Sequence, residues 1–412
     1  MADSPMISRF MRPRLVESLG DTPVVLIHGP RQCGKTTLAQ TLREYTYITF
    51  DDEVQIEAAK TDPVGFVADL PDKVILDEVQ RTPELFASLK VAVDRDRRPG
   101  RFILTGSANV LLAPKLSDSL AGRMELLRLY PLAQCEIAGV PSRFLDVLFS
   151  RGFKARQFGR LGEALAERIV AGGYPAALAR SSGRRRRDWY LAYIETLVQR
   201  DVRTLARISA LDALPRLLQL AAGQTARLLN VSELASPFQL SRPTIRDYVT
   251  LLERIFLIEI LPPWHGNRLS RLVKTPKLHL GDTGLAASLL GVDAAALTKD
   301  RVLLGQLLET FVFQELRRQA SWHEGAIGFH HYRDKDGYEV DIVLEMAGRD
   351  IAGIEVKAAA TVTDADFRGL RKLKDVGGAR FAAGIVLYDG ESAVRFAEDL
   401  FAVPIKALWS MK

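Results

Sequence analysis

The stretch "GPRQCGKT" (29–36) fits the spacing G-x-x-x-x-G-K-[ST], directly after the apolar run "VVLIHG" and before a helix-prone segment. Glycines at both ends let backbone N–H groups curl around phosphate oxygens, and the helix start that follows adds its positive dipole end. In that chemistry Lys35 reaches the β- and γ-phosphates and Thr36 offers a hydroxyl to Mg²⁺. Gly29, Pro30, Arg31, Gln32, Cys33, Gly34 and Thr37 complete the candidate nucleotide-binding loop. "KVILDEVQ" (73–80) ends a second apolar run in two acids. Asp77 suits the Mg²⁺ shell, and Glu78 suits a base that orients and activates water. A buried strand ending in two solvated acids is the competing reading.

Three further positions belong to the same chemistry. In "RFILTGSAN" (101–109), Thr105, Ser107 or Asn109 is placed to sense a γ-phosphate, unless the segment is a plain polar loop. Arg123, in "LAGRMELL", is either a finger acting on a neighbouring subunit's nucleotide or one half of an intrachain ion pair. The finger requires a homo-oligomer. Cys33 is either an oxidation-sensitive thiol or a small space-filling side chain.

A second set lies near the C-terminus, in "GYEVDIVLE" (337–345) and "IAGIEVKAA" (351–359). A turn over "MAGRD" centred on Gly348 pairs Glu345 with Ile351, which sets Asp341 opposite Glu355 and Glu339 opposite Lys357. Opposed side chains stand roughly 4.5–5.5 Å apart at Cβ, so two carboxylates there repel unless a cation lies between them. Lys357 shares the face of Glu355 and is the candidate for positioning a water, with Glu309 as a further ligand. The set describes a second Mg²⁺ or Mn²⁺ site; a Glu339–Lys357 ion pair on a solvated face is the plainer alternative.

These residues need scaffolds. "VVLIHG", "YITF" (47–50), "KVILDE" (73–78), "RFILTGS" (101–107) and "LLRLYPL" (126–132) read as strands, several apolar throughout, as a parallel sheet covered on both faces requires. Helical stretches such as "KTTLAQTLREY" and "PELFASLKVAVDR" alternate with them, which predicts a doubly wound α/β domain over 1–140. A helical linker or lid follows over 141–222. "NVSELASPFQLSRPTIRDYVTLLERIFLIEIL" (230–261) reads as helix, turn at Leu240–Ser241, helix and strand, with "KTPKLHLGD" as a wing, so 223–300 is winged-helix-like. Arg242 and Arg246 would face a major groove, although Asp247 and Glu253 on the same helix oppose phosphate; docking on the ATPase is the alternative. From 301 to 412 a further α/β unit closes the chain.

Composition bounds the rest. The 412 residues carry 56 Lys and Arg against 50 Asp and Glu, an excess compatible with nucleic acid. "RDRRPGR" (95–101) and "GRRRRDWY" (183–190) concentrate it, as binding patches or as solvated helix ends. Two cysteines fit a reducing compartment, and no apolar run is long enough for a bilayer, so a cytoplasmic protein without membrane contact is expected.

"GPRQCGKTT", "VILDEVQ", "ILTGSAN" and "LAGRMELLRLYPL", in this order, resemble the prokaryotic AAA+-type ATPases that carry a conserved C-terminal domain of poorly defined function. "GGYPAAL", "TIRDYVTLLERIFLI", "LGDTGLAASLLG" and "EVDIVLE…IEVKA" extend the resemblance over nearly the whole chain. It implies an N-terminal ATPase using ATP and Mg²⁺, a winged-helix-like middle and a C-terminal fold similar to the PD-(D/E)xK nucleases. Asp341, Glu355 and Lys357 match that nuclease motif, and Glu309 its helical acid. The expected function is ATP hydrolysis acting on or near DNA, with a nuclease-like C-terminal domain. The alternative is an ATPase switch whose C-terminal half is an inert protein-interaction scaffold. ATP is preferred over GTP because no N-K-x-D motif stands out.

Overall fold

The computed structural model describes residues 7–107, 120–199, 213–238, 240–266, 275–346 and 350–412. These divide into two compact units, one formed by Ser8–Leu132 with Arg254–Phe256, the other by Ala133–Glu253 with Leu257–Lys412.

In the first unit the apolar runs form β1 (Val24–His28), β2 (Thr46–Thr49), β3 (Val74–Asp77), β4 (Phe102–Gly106) and β5 (Met124–Arg128). They make one parallel sheet in the order β2-β3-β4-β1-β5. Val24, Leu26, Val74, Leu76, Phe102 and Leu104 are all at most 1% exposed and pack with Phe86, Leu89 and Val93 of the helix Leu85–Arg95. That burial is why the runs do not alternate.

Two elements differ from the sequence expectation. The helix after the phosphate loop covers only Lys35–Ala39; beyond it the backbone tightens to i→i−3 bonds, Thr41 N to Leu38 O (3.1 Å) and Leu42 N to Ala39 O (3.1 Å). The fifth strand lies two residues earlier than expected and ends at Arg128. Leu129 N still donates to His28 O (2.8 Å), but Pro131 has no N–H with which to continue the ladder.

In the second unit a short β6 (Arg156–Gln157) is followed by β7 (Arg227–Leu228), β8 (Ile258–Leu261) and β9 (Lys277–Leu280). The last three form an antiparallel sheet in the order β7-β9-β8. The helices Val231–Ala235 and Arg242–Arg254 lie between β7 and β8 in the chain. Asn230 caps the first of them, and Ser241 accepts from Thr244 N at the start of the second (3.2 Å). Ile245, Tyr248, Val249 and Leu252 are buried, whereas Arg242, Arg246, Asp247 and Glu253 are exposed.

The remaining strands are β10 (Ile327–Arg333), β11 (Glu339–Met346), β12 (Asp350–Lys357), β13 (Phe381–Tyr388), β14 (Ser392–Ala397) and β15 (Leu400–Pro404). With β6 they form a mixed sheet in the order β10-β11-β12-β13-β15-β14-β6. β11 and β12 pair with Glu345 opposite Ile351 and Ile342 opposite Ile354, the expected register; Gly348 itself lies outside the described residues. The long helix Arg301–Trp322 is anchored by a buried polar network. Arg318 donates to Asp282 and Glu315 (2.9 Å each), and Asp282 also accepts from Tyr190 OH and Gly173 N. Two of the quoted motifs, "GGYPAAL" and "LGDTGLAASLLG", meet there.

Candidate functional site

At the end of β1 the chain turns sharply into the phosphate loop. Gly29 has φ +151°, and a Cβ there would stand 2.1 Å from the Leu129 carbonyl oxygen, so only glycine fits. Gln32 and Gly34 also adopt positive φ, which turns the loop back on itself. Arg9 holds the loop from outside, donating to Cys33 O (2.6 Å) and Tyr130 O (2.7 Å). Cys33 is buried with its thiol donating to Leu129 O (3.4 Å), the geometry of a space-filling side chain. Lys35 is 6% exposed, and its ammonium donates to Gly29 O (3.1 Å) and Pro30 O (2.8 Å), so its charge lies inside the curl of the loop. Burial and then the Arg128 charge bring His28 down to about 4, which leaves it neutral.

β3 delivers its two acids beside this loop. Asp77 Oδ1 accepts from Thr36 Oγ1 (3.0 Å) and from Thr105 Oγ1, while Oδ2 accepts from Tyr47 OH (2.8 Å). Three hydroxyls from three elements therefore hold one carboxylate. Burial, then the bond to Asp77, pushes Tyr47 up to about 12, so it stays a donor. Thr36 Oγ1 and Asp77 Oδ1 stand 3.0 Å apart, about the separation of adjacent oxygens on an octahedral Mg²⁺, so the residues present fit that ion. Glu78 follows at φ +59°, a left-handed backbone for a non-glycine residue, and its carboxylate accepts from Gln80 Nε2. Gln80 Nε2 also donates to Ser107 Oγ (3.2 Å), which ties β3 to the end of β4.

Gln80, Tyr47 and Arg9 were not singled out by sequence reasoning. Gln80 lies within the quoted "VILDEVQ", two residues after Glu78, and could have been found there. Asn109 lies outside the described residues. Arg123 sits apart from these groups, in a bidentate pair with Asp94 (2.7 and 2.9 Å) on the helix Leu85–Arg95.

The second unit brings Asp341, Glu355 and Glu309 together, but not around a metal-shaped space. Lys277 of β9 extends its ammonium between them, 2.7 Å from Glu309 Oε1 and 3.2 Å from Asp341 Oδ1. Asp341 Oδ2 accepts from Val356 N (3.0 Å), and Glu355 hydrogen-bonds to Asp341. Burial opposes the Lys277 charge, yet Glu309 and Asp341 outweigh it and keep its pKa above the ordinary lysine value. Burial, then the Asp341 charge, pushes Glu309 up to about 8 and Glu355 well above the usual carboxylate range. Asp341 stays ionised: burial works against it, but Lys277 and the Val356 N–H prevail.

The structure does not show the expected second Mg²⁺ or Mn²⁺ centre. Among the described residues no group of three His, Cys, Asp or Glu is disposed to hold a metal ion. A lysine supplies the positive charge that the carboxylates need. Lys357 pairs with Asp366 (3.3 Å), and Glu339 pairs with Arg333 (2.8 Å) rather than with Lys357. Lys277 escaped notice because its partners lie 32 and 64 residues away.

Three family descriptions match the chain: an AAA domain over residues 21–138, a domain of unknown function (DUF8612) over 162–296 and a domain of unknown function (DUF4143) over 304–408. Uncharacterized proteins of Mycobacterium tuberculosis and Mycobacterium bovis are each 31% identical over 395 residues, covering 95% of this chain and 82% of theirs. The Walker-type ATPase of Pyrococcus abyssi is 18% identical, covering 69% of this chain and 96% of its own, with a TM-score of 0.44. Among the described residues no helix is long and apolar enough to cross a membrane.

Proposed function

We propose that this chain, which belongs to the family of AAA-domain proteins carrying a C-terminal domain of unknown function, binds Mg·ATP in its first unit and hydrolyses it. The observation that carries the reading is the Thr36–Asp77 hydrogen bond at 3.0 Å, with Glu78 next in the chain. Lys35 and the loop N–H groups bind and orient the phosphates, and Thr36 and Asp77 hold the ion. Mg²⁺, when bound, neutralises charge on the phosphate oxygens. Glu78 orients the attacking water and takes its proton, and Gln80 fixes the Glu78 carboxylate. Ser107, which accepts from Gln80, would report the γ-phosphate. The reading is tested by Mg²⁺-dependent phosphate release from ATP.

Arg123 acts in this reading as the ion-pair partner of Asp94. Arg123→Ala is expected to leave the urea-unfolding midpoint close to wild type, as solvent screens an exposed pair, and to leave turnover within a few-fold. A loss on the order of 10³-fold, without the same loss in Asp94→Ala, would restore the finger and with it a homo-oligomer.

For the second unit we read 223–300 as winged-helix-like and 301–412 as nuclease-like in fold. The chain order of β7, two helices, β8 and β9, with Arg242 and Arg246 exposed, supports contact with DNA. The ammonium of Lys277 among the acids favours a C-terminal domain that grips or docks rather than cuts. Duplex DNA is expected to bind with an affinity that falls steeply with salt, and Arg242→Ala/Arg246→Ala should weaken it by roughly 10-fold or more in fluorescence anisotropy. Salt-independent binding, or none, would leave the protein-interaction scaffold as the reading.

A further inference from the structure

We infer that Lys277 is a built-in cation that fills the centre of the C-terminal acidic cluster and holds that cluster closed to divalent metal ions. The inference rests on the reading of Asp341, Glu355 and Glu309 as the acids of a nuclease-like fold.

The lysine is fixed there by its strand. β9 is the middle strand of its sheet, with Lys277 opposite Leu228 of β7 on one side and Leu261 of β8 on the other. Backbone ladders on both sides prevent the residue from swinging away as a loop lysine would. Its side chain is 7% exposed and ends 2.7 Å from Glu309 and 3.2 Å from Asp341. An ammonium at those distances leaves no room for a second cation and would repel one.

A neighbouring group independently marks this as a place for a cation. His279 follows two residues later on the same face of β9 and is fully buried. Its Nδ1 is engaged with Thr310 Oγ1 at 3.1 Å, while its Nε2 has no hydrogen-bond partner and stands 4.0 Å from Glu309 Oε1. An unpartnered buried nitrogen beside the Glu309 carboxylate is a donor that the ion pairs of the cluster leave unused. Imidazole and carboxylate together suit Mn²⁺ and similar divalent ions. The cluster is therefore closed: a tethered ammonium takes the position an ion would need.

Removing the ammonium should convert the cluster into a metal site. The test uses the full chain without nucleotide, titrated with Mn²⁺, reading free Mn²⁺ by electron paramagnetic resonance and the thermal midpoint in parallel. Wild type and Lys277→Arg, which keep the charge, should bind no Mn²⁺ in a manner that depends on Asp341, and their midpoints should not respond. Lys277→Met should unfold at a lower temperature, regain part of the loss in Mn²⁺, and bind one equivalent at least tenfold more tightly than wild type. Adding Asp341→Asn should abolish that gain. Should Lys277→Met fail to fold in both the presence and absence of Mn²⁺, Lys277→Gln is read by the same criteria. Asp341-dependent Mn²⁺ binding by wild type would overturn the inference, as would a folded Lys277→Met or Lys277→Gln that gains no Mn²⁺. Because metal binding is read, and neither ATP turnover nor DNA cleavage, failure of the proposed ATPase function would leave this outcome unchanged.

Discussion

Glu78→Gln is expected to bind Mg·ATP about as tightly as wild type and to turn it over roughly 10²–10⁴-fold more slowly, the range for losing a positioned base. The substitution keeps the size of the side chain and removes only its capacity to accept a proton. It should therefore spare the loop, Lys35 and the Thr36–Asp77 pair, none of which depends on the Glu78 carboxylate. The backbone supports the assignment. Glu78 stands at φ +59°, where a non-glycine residue costs about 1–2 kcal/mol, and it is kept there by the turn Val79–Arg81. Such an outlier, next in the chain to Asp77, supports the proposed role. Phosphate release measured beside nucleotide affinity separates the two effects. Unchanged turnover would place the base elsewhere.

Lys35→Ala should instead lose binding. In the described arrangement the ammonium serves two loop carbonyls, Gly29 O at 3.1 Å and Pro30 O at 2.8 Å, so its charge sits where phosphate oxygens would be received. Replacing it removes charge-assisted bonds worth about 1.5–3 kcal/mol each, which corresponds to at least about 100-fold weaker affinity for ATP if two are lost. Isothermal titration with ATP and Mg²⁺ measures it directly. Wild-type affinity in Lys35→Ala would remove the phosphate-binding role from this loop.

What the sequence made legible was local. Four residues separate Gly29 from Gly34 and Lys35 follows at once, so the loop can be recognised without knowing what lies against it. β3 reads as a buried strand because Val74, Ile75 and Leu76 are apolar in succession, which only a doubly covered strand tolerates. The pairing of β11 with β12 was also legible, since turn length sets register and register sets which side chains face each other. The content of the C-terminal cluster was not. The pairing of Asp341 with Glu355 poses an electrostatic problem, and sequence alone suggested a metal as its solution. The solution in the fold comes from Lys277, which is placed by the pairing of β7, β8 and β9. The Asp94–Arg123 pair, spanning 29 residues, was legible only as one of two alternatives. The short helix Lys35–Ala39 shows the limit of periodicity, which does not reveal where the backbone tightens to i→i−3 bonds.

The claim that this unit hydrolyses ATP through Glu78 is tested most directly by the identity of the nucleotide that stays bound. Wild type and Glu78→Gln are loaded with ATP and Mg²⁺, separated from free nucleotide, and the bound fraction is followed over time by chromatography. Wild type should convert its bound ATP to ADP while Glu78→Gln retains ATP over the same interval. Conversion at equal rates in both proteins, or retention of ATP in both, would contradict the account.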